Sequence, residues 1–438
     1  MFAASARLAG HGPEDAPAAP GADGPSAPGG WFRATLRIDD EHEIPFFLWL
    51  PGDDEQDAII RNGAEDIPVA FDRDGGRIVL DFPHYDSRIE ATSDGAGLRG
   101  TWRKQRREGV AEMAFAAMPA RRHDALHRFL QIPLLIPGET EEAEPPGSAA
   151  AFRLAVEFAE SGPAVAVLNR VKPSLARRTQ DGGMGYVTPV AGTIQTTTGD
   201  YRFLSGSRWV FVGADGEPGF GLWRLSVFDG AHAFLIQLPE MRGHLLEGDF
   251  YSGNWFHETF TARPLAEDEA YELPDPFSEV ALTATDGRLH IPALDSPRYH
   301  NKPVIVQIFG TWCPNCHDET PALVDLYDRY HGAGLEILGL AYEVTGDDAR
   351  SRRQVERFRA RYGVPWEIVI AGTSDKDQAS ATLPDLSRVK SFPTTIWIDQ
   401  DGLVRAIHSG FSGPATGEAH AALLAEFDRL TRQIVQPE

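Results

Sequence analysis

Cysteine is almost absent from this chain: 2 residues in 438, both inside Trp312-Cys313-Pro314-Asn315-Cys316. That scarcity excludes a disulfide framework and a cysteine-rich zinc site, and it leaves no other cysteine for a lipid anchor. Long apolar runs are also missing, and no stretch approaches the roughly 18 residues a membrane-spanning helix requires. Positive charge is in short supply, with 41 Lys and Arg against 64 Asp and Glu and a net charge of −23. Such a surface repels nucleic acid and anionic membrane, so neither is expected as a partner. Met1 to Ala9 lack the charged start and full apolar core of a signal peptide. His11 to Gly30 are rich in Pro, Ala, Gly and Asp without periodicity. Residues 1–30 therefore read as a flexible tail or tether, one that follows a removed signal or anchor or else a misplaced start.

What is present is enough for several cores. A chain of 438 residues with 42% hydrophobic and 10% aromatic content divides into more than one domain. Alternating runs begin at Trp31-Phe32-Arg33-Ala34-Thr35-Leu36-Arg37-Ile38 and continue through Ile44 to Leu50 and Arg77 to Phe82, with Asp53-Asp54, Asp74-Gly75-Gly76 and Asp94-Gly95 as turns. This β-rich module is expected over 31–118. A linker over 119–150 follows, partly helical around Asp124 to Leu130. A second β-rich module spans 151–265, and short strands with frequent turns point to barrels or sandwiches. Its opening, Ala151-Phe152-Arg153, echoes Trp31-Phe32-Arg33, and Gly192-Thr193-Ile194 echoes Gly100-Thr101-Trp102, which suggests a degenerate repeat.

After a connector over 266–279 the texture changes. From about Val280 to the end at 438, strand and helix signals alternate, as in an α/β sheet. Pro303 to Phe309 is apolar enough for a buried central strand. It feeds Cys-x-x-Cys at the start of a helix, where unpaired amides and the helix dipole favour a thiolate at Cys313. Pro314 suits the first turn because its missing N–H would have no partner there. Cys316, one turn on, is placed to attack a mixed disulfide on Cys313. With no second cysteine pair, redox chemistry is the expected use, and a zinc half-site is disfavoured.

Trp312 to Cys316, Pro321 within the helix, and Ser391-Phe392-Pro393-Thr394 before an apolar strand resemble the thioredoxin superfamily. Glu319, three residues after the second cysteine, and His408 to Pro414 narrow the resemblance to its TlpA/ResA-like redoxin branch. Gly199 to Leu204 and Phe228 to Phe234 are similar to segments upstream of some such redoxins. The resemblance implies a multidomain chain: a C-terminal thioredoxin fold preceded by an all-β, barrel- or sandwich-like region. It implies a thiol–disulfide oxidoreductase outside the cytoplasm, acting on protein thiols and disulfides and served by a membrane or soluble dithiol donor, with no cofactor and no metal. Cys313, Cys316, Glu319 and a cis Pro393 would carry the reaction, with Trp312, Phe392 and Thr394 contacting substrate.

The chain departs from thioredoxin six residues before Cys313, where Gln307 replaces an Asp, so proton transfer is not expected to depend on that position. His317 reads as an exposed helix residue, with thiolate tuning or weak metal binding as the alternative. His84, His232 and His257 read as satisfied strand or turn histidines, because spacing alone defines no coordination set. Two other functions compete. A peroxiredoxin-like enzyme needs a Thr three residues before its cysteine, where this chain has Gly310. A metal- or partner-binding protein would use the thioredoxin-like domain as a scaffold.

Overall fold

The computed structural model describes residues 29–52, 57–120, 141–145, 149–178, 183–266 and 268–436. The expected tail up to residue 28 and the helical stretch around Asp124 to Leu130 lie outside these residues.

The first eight strands run from Gly30–Arg37 to Val110–Pro119 and pair in sequence order, each antiparallel to the next. The ring closes where Phe32 to Leu36 pair with Pro119 to Phe115. Alternation along each strand sends one side chain in two inward: Phe32, Ala34 and Leu36 from the first, Ile44, Phe46, Leu48 and Leu50 from the second. Trp102 fills the interior with no exposed surface.

A second closed meander follows. Ala151–Phe158, Gly162–Arg170, Met184–Thr196, Leu204–Val212, Pro218–Phe228, Ala233–Met241, Gly248–Ser252 and Phe256–Pro264 pair in order, and the first pairs back with the last. Both β regions are thus eight-stranded up-and-down barrels, not sandwiches. The aromatic-Arg echo sits on the first strand of each ring. The Gly-Thr echo does not keep register: Gly100-Thr101 lies on the seventh strand of one ring and Gly192-Thr193 on the third of the other.

The barrels meet at a hairpin tip. Asp229 to His232 joins two long strands of the second barrel and sits against the end of the first. Asn62 donates to the Phe228 carbonyl at 2.8 Å and accepts from its N–H at 3.1 Å, while Ser87 donates to the Gly230 carbonyl at 2.6 Å. Gly230 is required there. Its φ is +86°, and a Cβ would fall 2.2 Å from the Phe82 ring.

The C-terminal sheet has the order Glu367–Thr373, Glu336–Glu343, Val304–Phe309, Thr394–Ile398, Val404–Ser409. The first three strands are parallel and the last two antiparallel, the thioredoxin-type sheet that the resemblance implies. Val304–Phe309 is buried throughout, as its unbroken apolar run requires. Helices Pro314–Tyr330, Asp348–Tyr362, Lys376–Thr382 and Glu418–Val435 complete the domain. Phe309 meets Phe358 of the second of these at 5.0 Å, and Trp397 meets Phe427 of the last at 4.8 Å.

Candidate active site

The central strand ends at Phe309, and Gly310 to Trp312 turn the chain into the helix Pro314–Tyr330. Cys313 is the N-cap, with extended φ −96° and ψ 114°. Its Sγ accepts the Cys316 N–H at 3.4 Å and donates to the Phe392 carbonyl at 3.3 Å. The Phe392–Pro393 bond is cis, and the hydrogen bond from Cys313 to the Phe392 carbonyl sets this loop against the helix start. Both cysteines are free thiols. Cys313 keeps 6% exposure and Cys316 none. Burial, the neighbouring Cys313 and the charge of Glu319 push the Cys316 thiol well up.

Glu319 lies behind Cys316, fully buried. Thr395 donates to one carboxyl oxygen at 2.5 Å and Gln307 to the other at 2.8 Å. Burial raises this carboxyl to about 7 against those two hydrogen bonds, so it exchanges its proton near neutral pH. Gln307 therefore belongs to the Glu319 cradle, a role the sequence does not disclose because the strand and helix meet only in the fold.

Trp312 is half-buried. Its indole N–H donates to the Tyr342 carbonyl at 2.8 Å, and its ring meets Phe392 edge-on at 5.7 Å. Phe392 is buried beside it. Thr394 faces inward with no exposure, and its hydroxyl donates to the Ser391 carbonyl at 2.9 Å. Trp312 and Phe392 thus line one side of the cysteine pair, while the Thr394 side chain supports the loop from behind.

His317 is not an exposed helix residue. It is buried, with its Nε2 hydrogen directed at the Thr311 carbonyl at 2.7 Å and Nδ1 accepting from the Tyr362 hydroxyl at 2.7 Å. Its helix face turns toward the first barrel, where Tyr85 and His84 pack edge-on against the ring at 5.1 and 5.8 Å. Burial lowers it to about 3, so it remains neutral. Glu343, also missed in the sequence, accepts the Thr311 N–H at 3.1 Å and hydroxyl at 2.8 Å. Of the other histidines, His232 contacts Asp229 at 3.1 Å and His257 contacts Asp249 at 2.8 Å. No group of three or more His, Cys, Asp or Glu is arranged to hold a metal among the described residues.

All three modules converge on this helix start. Arg202 of the second barrel has φ +60° and reaches Asp318 of the redox helix and Glu65 of the first barrel, the latter at 3.0 Å. Asp200 accepts the Gly413 N–H at 2.8 Å, and Gln195 donates to Ser412 at 3.1 Å. Gly199 approaches Asn315 so closely that a Cβ would lie 1.8 Å from its amide nitrogen. Asn315 itself donates to the Phe411 carbonyl at 3.3 Å. From the first barrel, Arg107 pairs with Asp375 and Asp86 with Arg350.

Comparison with known proteins places this site in context. The model of the AhpC/TSA family matches residues 275–407, a span outside both barrels. The chain is 30% identical over 152 residues to the thiol-disulfide oxidoreductase ResA of Geobacillus thermodenitrificans, covering 35% of this chain and 78% of that protein. It is 28% identical over 160 residues to the thioredoxin-like protein YneN of Bacillus subtilis, covering 36% and 82%. A thiol:disulfide interchange protein of the thioredoxin family from Chlorobium tepidum aligns in structure at 22% identity. That alignment covers 38% of this chain and 99% of that one, with a TM-score of 0.25.

Proposed function

From a chain that belongs to the ResA family of thiol–disulfide oxidoreductases, we propose a protein disulfide reductase that works through Cys313 and Cys316. The observation that carries the reading is the stack at the helix start: Cys313 at the N-cap against the Phe392 carbonyl, with the buried Cys316 and the Glu319 carboxyl behind it.

The Cys313 thiolate attacks one sulfur of a substrate disulfide, forming a mixed disulfide and releasing the first substrate thiolate. Cys316 then gives its proton to ionised Glu319 and attacks the Cys313 sulfur, releasing the second thiolate. Two electrons pass to the substrate, and Cys313 and Cys316 are left as a disulfide. An external dithiol, soluble or membrane-bound, restores the pair by the reverse exchange. The backbone around Pro393 offers an edge for an extended substrate segment, flanked by Trp312 and Phe392. Such an enzyme fits a compartment outside the cytoplasm, where substrate disulfides form.

The test is insulin-disulfide reduction. Wild type is expected to turn over with a dithiol donor. Cys316→Ser is expected to stall as a mixed disulfide on Cys313, detectable by mass, and Cys313→Ser to be inactive with no adduct. Turnover by Cys313→Ser would reject the reading. The AhpC/TSA match favours a second function, peroxide reduction at Cys313, against which stands Gly310 in place of the expected Thr. Consumption of hydrogen peroxide faster than insulin disulfide would select it.

A further inference from the structure

A cleft of about 430 Å³ opens where the first barrel meets the helix Asp348–Tyr362. Six cations line it, Arg88, Arg103 and Lys104 from the barrel and Arg350, Arg353 and Arg357 from the helix, against the carboxylates of Asp81 and Asp86. In a chain of net charge −23 this is a local inversion of sign. Part of the positive charge joins the two domains: Arg350 pairs with Asp86, and Arg357 donates to the Pro83 carbonyl at 3.2 Å. Arg88 and Arg103 are engaged along the barrel by Asp81, Glu90 and Glu112. The unmatched capacity is on the helix. Arg350 Nε and Nη1 are buried without a hydrogen-bond partner. Arg353, one turn on, is exposed and forms no ion pair among the described residues. A carboxylate matches the planar fork of the exposed Arg353.

The cleft adjoins the redox centre through Glu343, whose carboxylate feels the charge of Arg350 and holds Thr311 two residues before Cys313. Lys104, one of the cleft's walls, donates to the Ala231 carbonyl at the hairpin tip. The volume suits a few side chains, not a folded partner.

We infer that this cleft docks an acidic segment of the disulfide-bearing substrate protein, its carboxylates meeting the exposed Arg353 within the positive lining while its disulfide reaches Cys313. This rests on the disulfide-reductase reading above. The remaining surface repels an acidic partner at long range. At about 0.1 M salt the Debye length of about 10 Å screens those remote carboxylates, while contacts inside the cleft persist.

The full-length protein is tested on two disulfide-linked peptides of one sequence, tailed with four Glu or four Gln. At about 0.1 M salt the acidic peptide is expected to be reduced about fivefold faster. That preference is expected to vanish in Arg353→Glu, which still reduces the Gln-tailed peptide at the wild-type rate, and to survive in Arg353→Lys. Equal rates for the two tails in wild type, or a preference that Arg353→Glu leaves intact, overturns the docking site. Free citrate supplies the same carboxylates without a peptide. Loss of the tail preference in its presence supports the site, whereas citrate binding with no tail preference replaces it with a small-anion site. If wild type reduces neither peptide, the reductase reading itself fails. Equal reduction of both removes only the docking site.

Discussion

At the scale of single residues, the proposed chemistry depends on Glu319 being a carboxyl that is neither firmly charged nor firmly neutral. Its value of about 7 lies above the ordinary 4.5, so it opposes the folded state once ionised. The sign follows directly: its contribution to stability is fully present below pH 4.5 and lost as pH rises through about 7. Glu319→Gln, neutral at every pH, is therefore expected to match wild type near pH 4.5 and to exceed it above pH 7 by up to about 3 kcal/mol, measured by chemical denaturation. The same substitution is expected to slow thiol exchange near neutral pH by about tenfold or more and to move the Cys316 titration downward, since a nearby anion disfavours a thiolate. Stopped-flow exchange across pH checks this, and identical profiles would make Glu319 a structural carboxyl only. Gln307→Leu removes one donor from the carboxylate and is expected to shift the same profile to higher pH. Iodoacetamide mapping is expected to find Cys313 modified before Cys316, which is fully buried with a raised thiol. Cys313, Cys316 and Glu319 can be proposed from the sequence because they lie within the first two turns of one helix. Gln307 and Thr395 cannot, because they reach Glu319 from two neighbouring strands, 12 and 76 residues away.

Among the elements, the most readable were those whose burial is uniform. The central strand Val304–Phe309 is buried at every position, and its apolar run says so. The edge strand Glu367–Thr373 is not evident in the sequence, because it is only partly buried and Glu-Ile-Val-Ile-Ala-Gly-Thr carries no clean alternation. His317 failed for a different reason. Helical spacing identifies the face packed on the helix's own sheet, and it cannot anticipate that Phe358 and Tyr362 of the next helix, together with Tyr85 and His84 of the first barrel, cover this ring. The turn at Gly199 illustrates the same effect. Its φ of +152° and its closeness to Asn315 leave no room for a side chain. Gly199→Ala is expected to displace Asn315 from the Phe411 carbonyl and to cost about 1–2 kcal/mol in denaturant. An unchanged midpoint would mean that the hairpin yields without loss.

In the whole molecule, ring closure separates what the chain reveals from what only the fold reveals. Strand-rich texture was evident, but closure requires Phe32 to find Pro119 and Leu154 to find Pro264, pairings no local pattern encodes. The segments Gly199 to Leu204 and Phe228 to Phe234 stood out in the sequence, and in the structure both are contact points between modules. Arg202 is the centre of that assembly. It is largely buried between Asp318 of the redox helix, Glu65 of the first barrel and Asp229 of its own module. Arg202→Met would leave three carboxylates without their shared cation, and breaking a buried pair from one side costs about 3–5 kcal/mol. The cost must depend on pH. Burial raises Glu65 to about 7 and raises Asp318 as well, and loss of the cation moves both further up. Groups raised in this way penalise the fold as pH climbs through their values and cease to do so once protonated. Arg202→Met is thus expected to destabilise the full chain strongly at pH 8 and much less at pH 5.5. A fragment over 275–438 never meets Arg202, and it is expected to fold and reduce insulin unaided. It must start before Val280, since the Pro276 carbonyl accepts from Ser409 and Phe277 packs on His408 at 4.7 Å. A penalty for Arg202→Met that is the same at both pH values would show that the carboxylates stay hydrated and that the three modules are not closed around this arginine.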